Sequence, residues 1–382
     1  MFRWQTILGI GIGVVFAIIV LIAVDGADRG LPSSGQVFSE CDGQLSELII
    51  HYEPSAREVV APAYRDFLGL LESDITVYVI CPNRAAFDEL AASIGRVHCK
   101  VVPIIVNHPM TSWSRDRWMA LAPSVPDGPV TLWSPRGEAA ASVWPARAGD
   151  QRVAADIAMA LNPAVLSRRS SIYFDGGDFL ADSRNVFVVP RVLQQNLQRT
   201  VERREDFIGM LAGELKRPVV LLDQAPDHHA GMFMMSAGDG VMLVGDPALG
   251  SKCIGEGQSS DFMQLPGGPD TTPETQNLFD AVARQCAGCG YRVVRIPLVP
   301  ARDGRTFITY VNVIIDSRAG GRIVYLPFYR GAEFLNEAAR DIWHDLGYEV
   351  RPVDCTSTFR SFGGLHCLVN VLKKTSISTA GK

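Results

Sequence analysis

The run Ile308–Pro327, ITYVNVIIDSRAGGRIVYLP, followed by Ala332–Leu346, AEFLNEAARDIWHDL, and Glu349–Val353, EVRPV, spells out one structural unit. Two apolar, β-branched stretches, Ile308–Ile315 and Ile323–Pro327, predict a hairpin; the middle segment has helical spacing and the last reads as a strand. The same order recurs over Met232–Val244, Pro273–Cys286 and Tyr291–Ile296. Repetition at this scale predicts stacked or radial modules rather than a doubly wound sheet. Further strands are expected at Ile75–Cys81, Val101–Val106, Asn185–Pro190 and Val219–Leu222, and further helices at Arg57–Leu71, Arg84–Ser93 and Leu193–Leu215. The class is α/β.

The 382 residues are 47% hydrophobic, enough for a substantial core. A formal net charge of −5, with no long run of Lys and Arg, leaves no basic footprint for nucleic acid. No Gly-x-Gly-x-x-Gly sits between a strand and a helix and no Walker-type loop is present, so no nucleotide cofactor is indicated. The eight cysteines form no pair of metal-binding doublets. Cys286-Ala-Gly-Cys289 stands alone, which reads as a local disulfide or two unpaired thiols rather than a zinc site.

Ile7 to Val24 is free of charge, is preceded by Arg3 and is followed by Asp25, Asp28 and Arg29. It is long enough to span a bilayer. Asp25 stands where a cleavage site would need a small residue, which favours an uncleaved anchor over a signal peptide. The expected organisation is an anchor over 1–28, a Gly-, Ser- and Pro-rich linker over 29–45, a folded domain over 46–374 and a tail over 375–382. With the N-terminus inside, the domain would lie outside the cytoplasm. Gly9 and Gly13 would let two anchors pack closely, as in a homo-oligomer.

Unusual polar residues fall once per module: Trp113-Ser114-Arg115-Asp116, Phe174-Asp175-Gly176-Gly177-Asp178, Asp227-His228-His229, Tyr310-Val311-Asn312 and Gly363-Gly364-Leu365-His366-Cys367. From Asp116 the steps are 59 residues to Asp175, 54 to His229, 83 to Asn312 and 55 to Cys367. Modules set around an axis would bring acid, acid, imidazole, amide and thiol to one centre. Two carboxylates call for a cation, and a thiol beside an imidazole calls for an electrophilic carbon and a leaving group that needs a proton. A guanidinium group satisfies both. Taken singly, each residue has a plainer role: Asp116 pairing with Arg115 or Arg117, Asp175 and Asp178 capping a tight turn, Asn312 satisfying a hairpin, His228 a neighbour rather than a catalyst.

In order along residues 46–374, these motifs resemble those of the guanidino-group-modifying enzymes, or penteins, nearest to the agmatine deiminase and bacterial peptidylarginine deiminase branch. Trp113–Asp116 resembles the family's Trp-x-Arg-Asp, Phe174–Gly177 its Glu-Gly-Gly turn, and His229–Phe233 its His-x-Asp-x-Phe strand. Tyr310–Asn312 with Tyr325–Pro327 resembles its Tyr-Leu-Asn hairpin and Val-Pro end, and Gly363–Cys367 its nucleophile segment. The resemblance implies a five-module pseudo-symmetric α/β propeller and a cofactor-free, metal-free reaction on a small-molecule or peptidyl guanidine. Cys367 would be the nucleophile and His229 the acid and base. Asp116 and Asp175 would hold the guanidinium, with Trp113, Arg115, Asp178 and Asn312 as further substrate contacts.

The sequence departs from the family pattern at several points. Gly231 stands where a second acid is expected, which predicts a gap in the pocket wall toward which Asp227 or Asp178 would point. Asp175 replaces Glu, and Trp118-Met119 replaces Gly-Pro. The Gly pair lies one residue closer to His366 than in agmatine deiminases. The alternatives to a hydrolase are an amidinotransferase and a catalytically silent binding or scaffold relative.

Overall fold

The computed structural model describes residues 35–137, 145–255 and 262–375. Five β-sheets carry one recurring design: an antiparallel pair, then a crossover helix, then a strand parallel to the second of the pair. In the first sheet, Val369–Thr375 lies antiparallel to Gln44–His51, which is parallel to Thr76–Cys81 and through it to Lys100–Ile105. The second joins Met119–Leu121, Val130–Ser134 and Val165–Arg169. The third joins Phe179–Ala181, Val186–Val188 and Val219–Leu221. The fourth joins Met234–Ser236, Val241–Asp246 and Arg292–Pro300, with Phe307–Thr309 added at its edge. Ile314–Arg318, Gly321–Phe328 and Tyr348–Asp354 make the fifth.

A parallel pair needs a long connection. The helices Arg57–Leu70, Pro145–Ala160, Arg204–Leu215, Pro273–Gly288 and Glu333–Asp345 each lie within one of these connections. Glu333–Asp345 buries Leu335, Asn336, Ala339 and Trp343, one stripe at helical spacing. Local polar groups start such helices: Asn83 accepts from the Ala86 amide and Thr272 from the Thr275 amide. Among the hairpin second strands, Val130–Ser134 is buried along its whole length and Gly321–Phe328 from Ile323 to Pro327. Ile323–Pro327 accordingly reads as an unbroken apolar run without alternation.

Each first strand is entered through a short turn: Ser114–Asp116, Gly176–Asp178, Ala230–Met232, the stretch 310–313, and Leu365–Leu368. Ser114–Asp116 packs against both Gly176–Asp178 and Leu365–Leu368, and Gly176–Asp178 against Ala230–Met232. Asn312 ties in the fourth turn, donating from Nδ2 to the Gly231 carbonyl (2.9 Å) and accepting at Oδ1 from the His366 amide (2.9 Å). The five turns therefore meet.

Three expectations are corrected. Ile308–Ile315 is not one strand: Phe307–Thr309 belongs to the fourth sheet and Ile314–Arg318 to the fifth. Both are buried, so hydrophobicity carries no mark of the turn between them. Leu193–Leu215 is likewise interrupted, into Pro190–Asn196 and Arg204–Leu215. Asn196 closes the first helix with its side chain, donating to Tyr173 O and Val192 O, and Gln198 follows at φ 62°. The third correction concerns the expected linker over 29–45, whose described part is packed against the domain. The Gly35 amide donates to Ala122 O (2.9 Å), Val37 bridges Leu121, and Glu40 is buried.

Among the described residues no helix is long and apolar enough to cross a membrane. The expected anchor over 1–28 lies outside the described residues, as does the tail beyond Thr375.

Candidate active site

Cys367 sits in the Leu365–Leu368 turn at the floor of a cavity of about 220 Å³. The cavity is lined by Trp113, Asp116, Arg147, Asp175, Arg191, Asp227, His228, His229, Arg305, Ser361 and Phe362 as well as the thiol. The Gly pair before the nucleophile admits two close neighbours. A Cβ at Gly363 would lie 2.5 Å from the Trp113 ring, and one at Gly364 would lie 2.6 Å from Asn312 Oδ1. Just ahead of them Phe362 takes a left-handed backbone (φ 68°), with the Arg305 guanidinium 4.5 Å from its ring centre.

His229 is the centre of the polar network. Its Nδ1 is 3.8 Å from Asp116 Oδ1, and its Nε2 is 3.5 Å from Asp175 Oδ2 and 4.0 Å from Asp178 Oδ1. It shares the cavity with the Cys367 thiol. Burial works against the charged ring, but Asp116, Asp175 and the thiol outweigh it and hold the His229 pKa well above 6.5. The imidazolium is therefore ready to donate a proton at neutral pH. Burial, with the charges of His229 and Arg191, depresses the adjacent His228 to about 3, so that ring stays neutral. It bonds the Arg305 carbonyl through Nε2 (3.0 Å) and accepts the His229 amide at Nδ1 (2.8 Å).

Arginines of the chain itself already engage the two acids. Arg117 Nη1 is 3.0 Å from Asp175 Oδ1, and Arg147 Nη1 is 3.2 Å from Asp116 Oδ2. Burial raises the pKa of the Asp175 carboxyl, yet Arg117 and His229 bring it below the usual carboxylate range. Asp116 is raised, by burial and by Asp175. Asp116 Oδ1 is buried and has no hydrogen-bond partner among the described residues. An unsatisfied buried acceptor costs about 1–3 kcal/mol, and a bound N–H donor at this point would relieve that cost. Donor atoms of Asp116, Asp175 and His229 fall within 4.8 Å of one another, but the protonated ring has no lone pair to offer a metal ion.

Of the residues singled out in the sequence, Trp113, Asp116, Asp175, His229 and Cys367 share the cavity. Asn312 lies behind it, with Nδ2 3.6 Å from the Cys367 sulfur. Arg115 and Asp178 do not line it. Arg115 turns away to a buried ion pair with Glu40 (2.5 Å). Asp178 accepts from the Asp175 amide (3.0 Å) and from Arg191 Nε (2.7 Å), the turn-capping role. The gap expected at Gly231 does not exist, because a Cβ there would lie 2.8 Å from His366 Nδ1. Asp227 is at the mouth, its side chain 89% exposed and 4.0 Å from Arg191. Sequence reasoning missed the cations Arg147, Arg191 and Arg305. Arg147 lies in a weakly patterned stretch, while Arg191 and Arg305 have no motif around them.

No family model and no curated protein sequence matches the chain. Solved structures do. An agmatine deiminase of C. jejuni with substrate bound superposes with a TM-score of 0.64 at 14% identity, covering 89% of this chain and 96% of its own. The agmatine deiminase of Enterococcus faecalis gives a TM-score of 0.62 at 13% identity, covering 90% of this chain and 100% of its own. At such identities the likeness speaks for the fold alone. The chain therefore shares the fold of the solved agmatine deiminases.

Proposed function

We propose that this protein hydrolyses a guanidino group of the agmatine, arginine or peptidyl-arginine type. The observation that carries the reading is the meeting of Cys367, His229, Asp116 and Asp175 on one small cavity, although these residues come from four modules. The substrate guanidinium lies against Asp116 and Asp175, with one N–H on the vacant Asp116 Oδ1. Its positive charge favours the thiolate by Coulomb attraction in a poorly hydrated pocket. Cys367 sulfur attacks the guanidinium carbon and forms a C–S bond. The C–N bond then breaks as His229 protonates the departing amine, leaving a thiouronium on sulfur. Neutral His229 next takes a proton from water as the water attacks the same carbon, and C–S cleavage returns the thiolate and releases a ureido product. The amine leaves as ammonia when the terminal nitrogen is lost.

The radial five-module arrangement belongs to this reading, since it explains why one residue per module reaches the centre. An anchored, extracytoplasmic placement is likewise part of the proposal and rests on Ile7–Val24 alone. Incubating the full chain with a panel of guanidines tests the chemistry, with the ureido product and ammonia as readouts. Ureido product that disappears in Cys367→Ser supports the hydrolase. Product appearing only with an added amine acceptor, as a new guanidine, would assign an amidinotransferase, and no turnover of any guanidine would leave the silent relative. Membrane fractionation with protease protection tests the placement.

A further inference from the structure

Behind the cavity lies a group of buried charges for which the proposed hydrolysis has no use. Glu40 Oε1 accepts from Arg115 Nη2 (2.5 Å), and Oε2 faces His366 Nε2 at 3.2 Å. The side chains of Glu40 and Arg115 are each 9% exposed and that of His366 is 2% exposed. Burial would raise the Glu40 pKa, but Arg115 and His366 pull it down to about 2. The carboxylate is ionised and His366, depressed by burial, is the neutral donor to it. Losing one partner from such a buried set is costly, because the remaining charge stays desolvated.

Glu40 comes from a stretch that the sequence marks as linker. Residues 35–43 instead cross several sheets: the Glu40 amide donates to Ala181 O (2.8 Å), Lys374 Nζ to Glu40 O (2.7 Å) and Ser317 Oγ to Cys41 O (2.7 Å). This strap is fixed to the second, third, fifth and first sheets before it presents its carboxylate.

At the other end of the contact, His366 immediately precedes the thiol. Its amide is held by Asn312 Oδ1, and its ring packs on the Cα of Gly231, two residues after His229. The imidazole fills the room that a side chain at 231 would need. We infer that Glu40 is a positioning residue for the site: by bonding the His366 ring it presses that ring against the His229–Gly231 turn and sets the separation between His229 and Cys367. The absent acid at 231 and the buried Glu40–His366 pair are then two parts of one arrangement. The inference rests on the hydrolase reading only for its relevance to turnover, so its test does not use turnover.

The test is the rate of Cys367 alkylation by iodoacetamide in the full chain, followed on the Cys367 peptide by mass spectrometry across pH 5 to 9, alongside thermal unfolding. Displacing reacting groups by about 1 Å costs up to about 10²-fold. Glu40→Ala is accordingly expected to slow alkylation at neutral pH by tenfold or more. Glu40→Gln, which keeps an acceptor for His366, should restore most of the rate. His366→Ala should slow the reaction as much as Glu40→Ala, and the double variant no further. Folded Glu40→Ala with wild-type alkylation overturns the inference, because a strap that only stabilises would lower the melting temperature and leave Cys367 unchanged. If Glu40→Ala does not fold, His366→Ala decides alone, and a wild-type rate there overturns it. Turnover is measured separately: slowed alkylation in a chain that converts no guanidine would keep this inference while the hydrolase reading falls.

Discussion

Gly177→Ala is the smallest change that reaches the proposed proton donor. The added Cβ would lie 2.7 Å from His229 Cγ, 2.8 Å from Nδ1 and 3.1 Å from Cδ2. Carbon atoms settle at about 3.5–4.0 Å, so the ring must retreat by roughly 0.8 Å or more. The backbone gives no reason for strain, since Gly177 is not among the glycines with positive φ. Retreat loosens the ring from Asp175 (3.5 Å) and Asp116 (3.8 Å) and moves it relative to the thiol. A displacement near 1 Å is worth up to about 10²-fold in rate, and overpacking costs about 1–3 kcal/mol of stability. The expected result is a fall in kcat of one to two orders of magnitude with a modest drop in Tm. Gly213→Ala is the control: nothing lies within 4 Å of its added Cβ, and it sits inside the Arg204–Leu215 helix. It should keep full activity and gain up to about 1 kcal/mol. Steady-state formation of ureido product with thermal melts on both variants gives the comparison. A Gly177→Ala enzyme with more than half the wild-type kcat would refute a role for the His229 position in turnover.

Cys367→Ser should abolish turnover with little change in Tm, since a hydroxyl is far less ionised than a thiol; retained activity removes Cys367 from the mechanism. Asp116→Asn, which neutralises the acceptor with the vacant oxygen, should lower kcat/KM by about ten- to a hundredfold, the range of a charged hydrogen bond, and an unchanged kcat/KM would count against a guanidinium at Asp116. Arg305 lines the pocket mouth beside Phe362, so a guanidine with a far carboxylate should be preferred over agmatine. Exposed ion pairs give up to about 1 kcal/mol, so Arg305→Ala should narrow that preference by at most about fivefold; no preference in the wild type would sink this reading of the mouth. Stability should fall between pH 6.5 and 4. His51 and His228 are buried neutral, with pKa near 4 and near 3 against 6.5 unfolded, so the unfolded chain binds protons there that the native chain does not. Each contributes a loss of up to about 1.4 kcal/mol per pH unit. His229, whose pKa is raised, contributes fully throughout that window and loses its contribution only at higher pH. Tm measured at one-unit steps checks the sign, and a flat or rising Tm on acidification contradicts it.

Two modules were legible because they carry the hairpin, helix and strand with long apolar stretches: Gly321–Phe328 and Arg292–Pro300 are strands of eight and nine residues. The third sheet was half visible, since all three of its strands have three residues. Met119–Leu121 and Phe179–Ala181 follow directly on the motifs at Asp116 and Gly176, so their strand character was hidden behind polar residues and glycines chosen for the site. Where function sets the local sequence, the period of the strand fades.

The thiol, the imidazole and the two acids could be picked out for a different reason. Each belongs to a turn at one position of a repeating unit, so spacing along the chain stands in for proximity in space. Arg191, Arg305 and Glu40 reach the site from other positions: Arg191 from a helix start, Arg305 from a loop before the fourth sheet's edge strand, and Glu40 from the strap. No period links them to the motifs. Arg117 and Arg147 also reverse the simplest reading of the pocket. Two carboxylates suggest a site waiting for a cation, yet Arg117 and Arg147 already neutralise one oxygen of each. The vacancy that remains is the buried Asp116 Oδ1, with Asp175 Oδ2 shared by His229. A substrate guanidinium held mainly at that vacancy gains one strong charged contact rather than two full ion pairs. Selectivity must then come from the fit of the planar group between Trp113, His229 and the thiol.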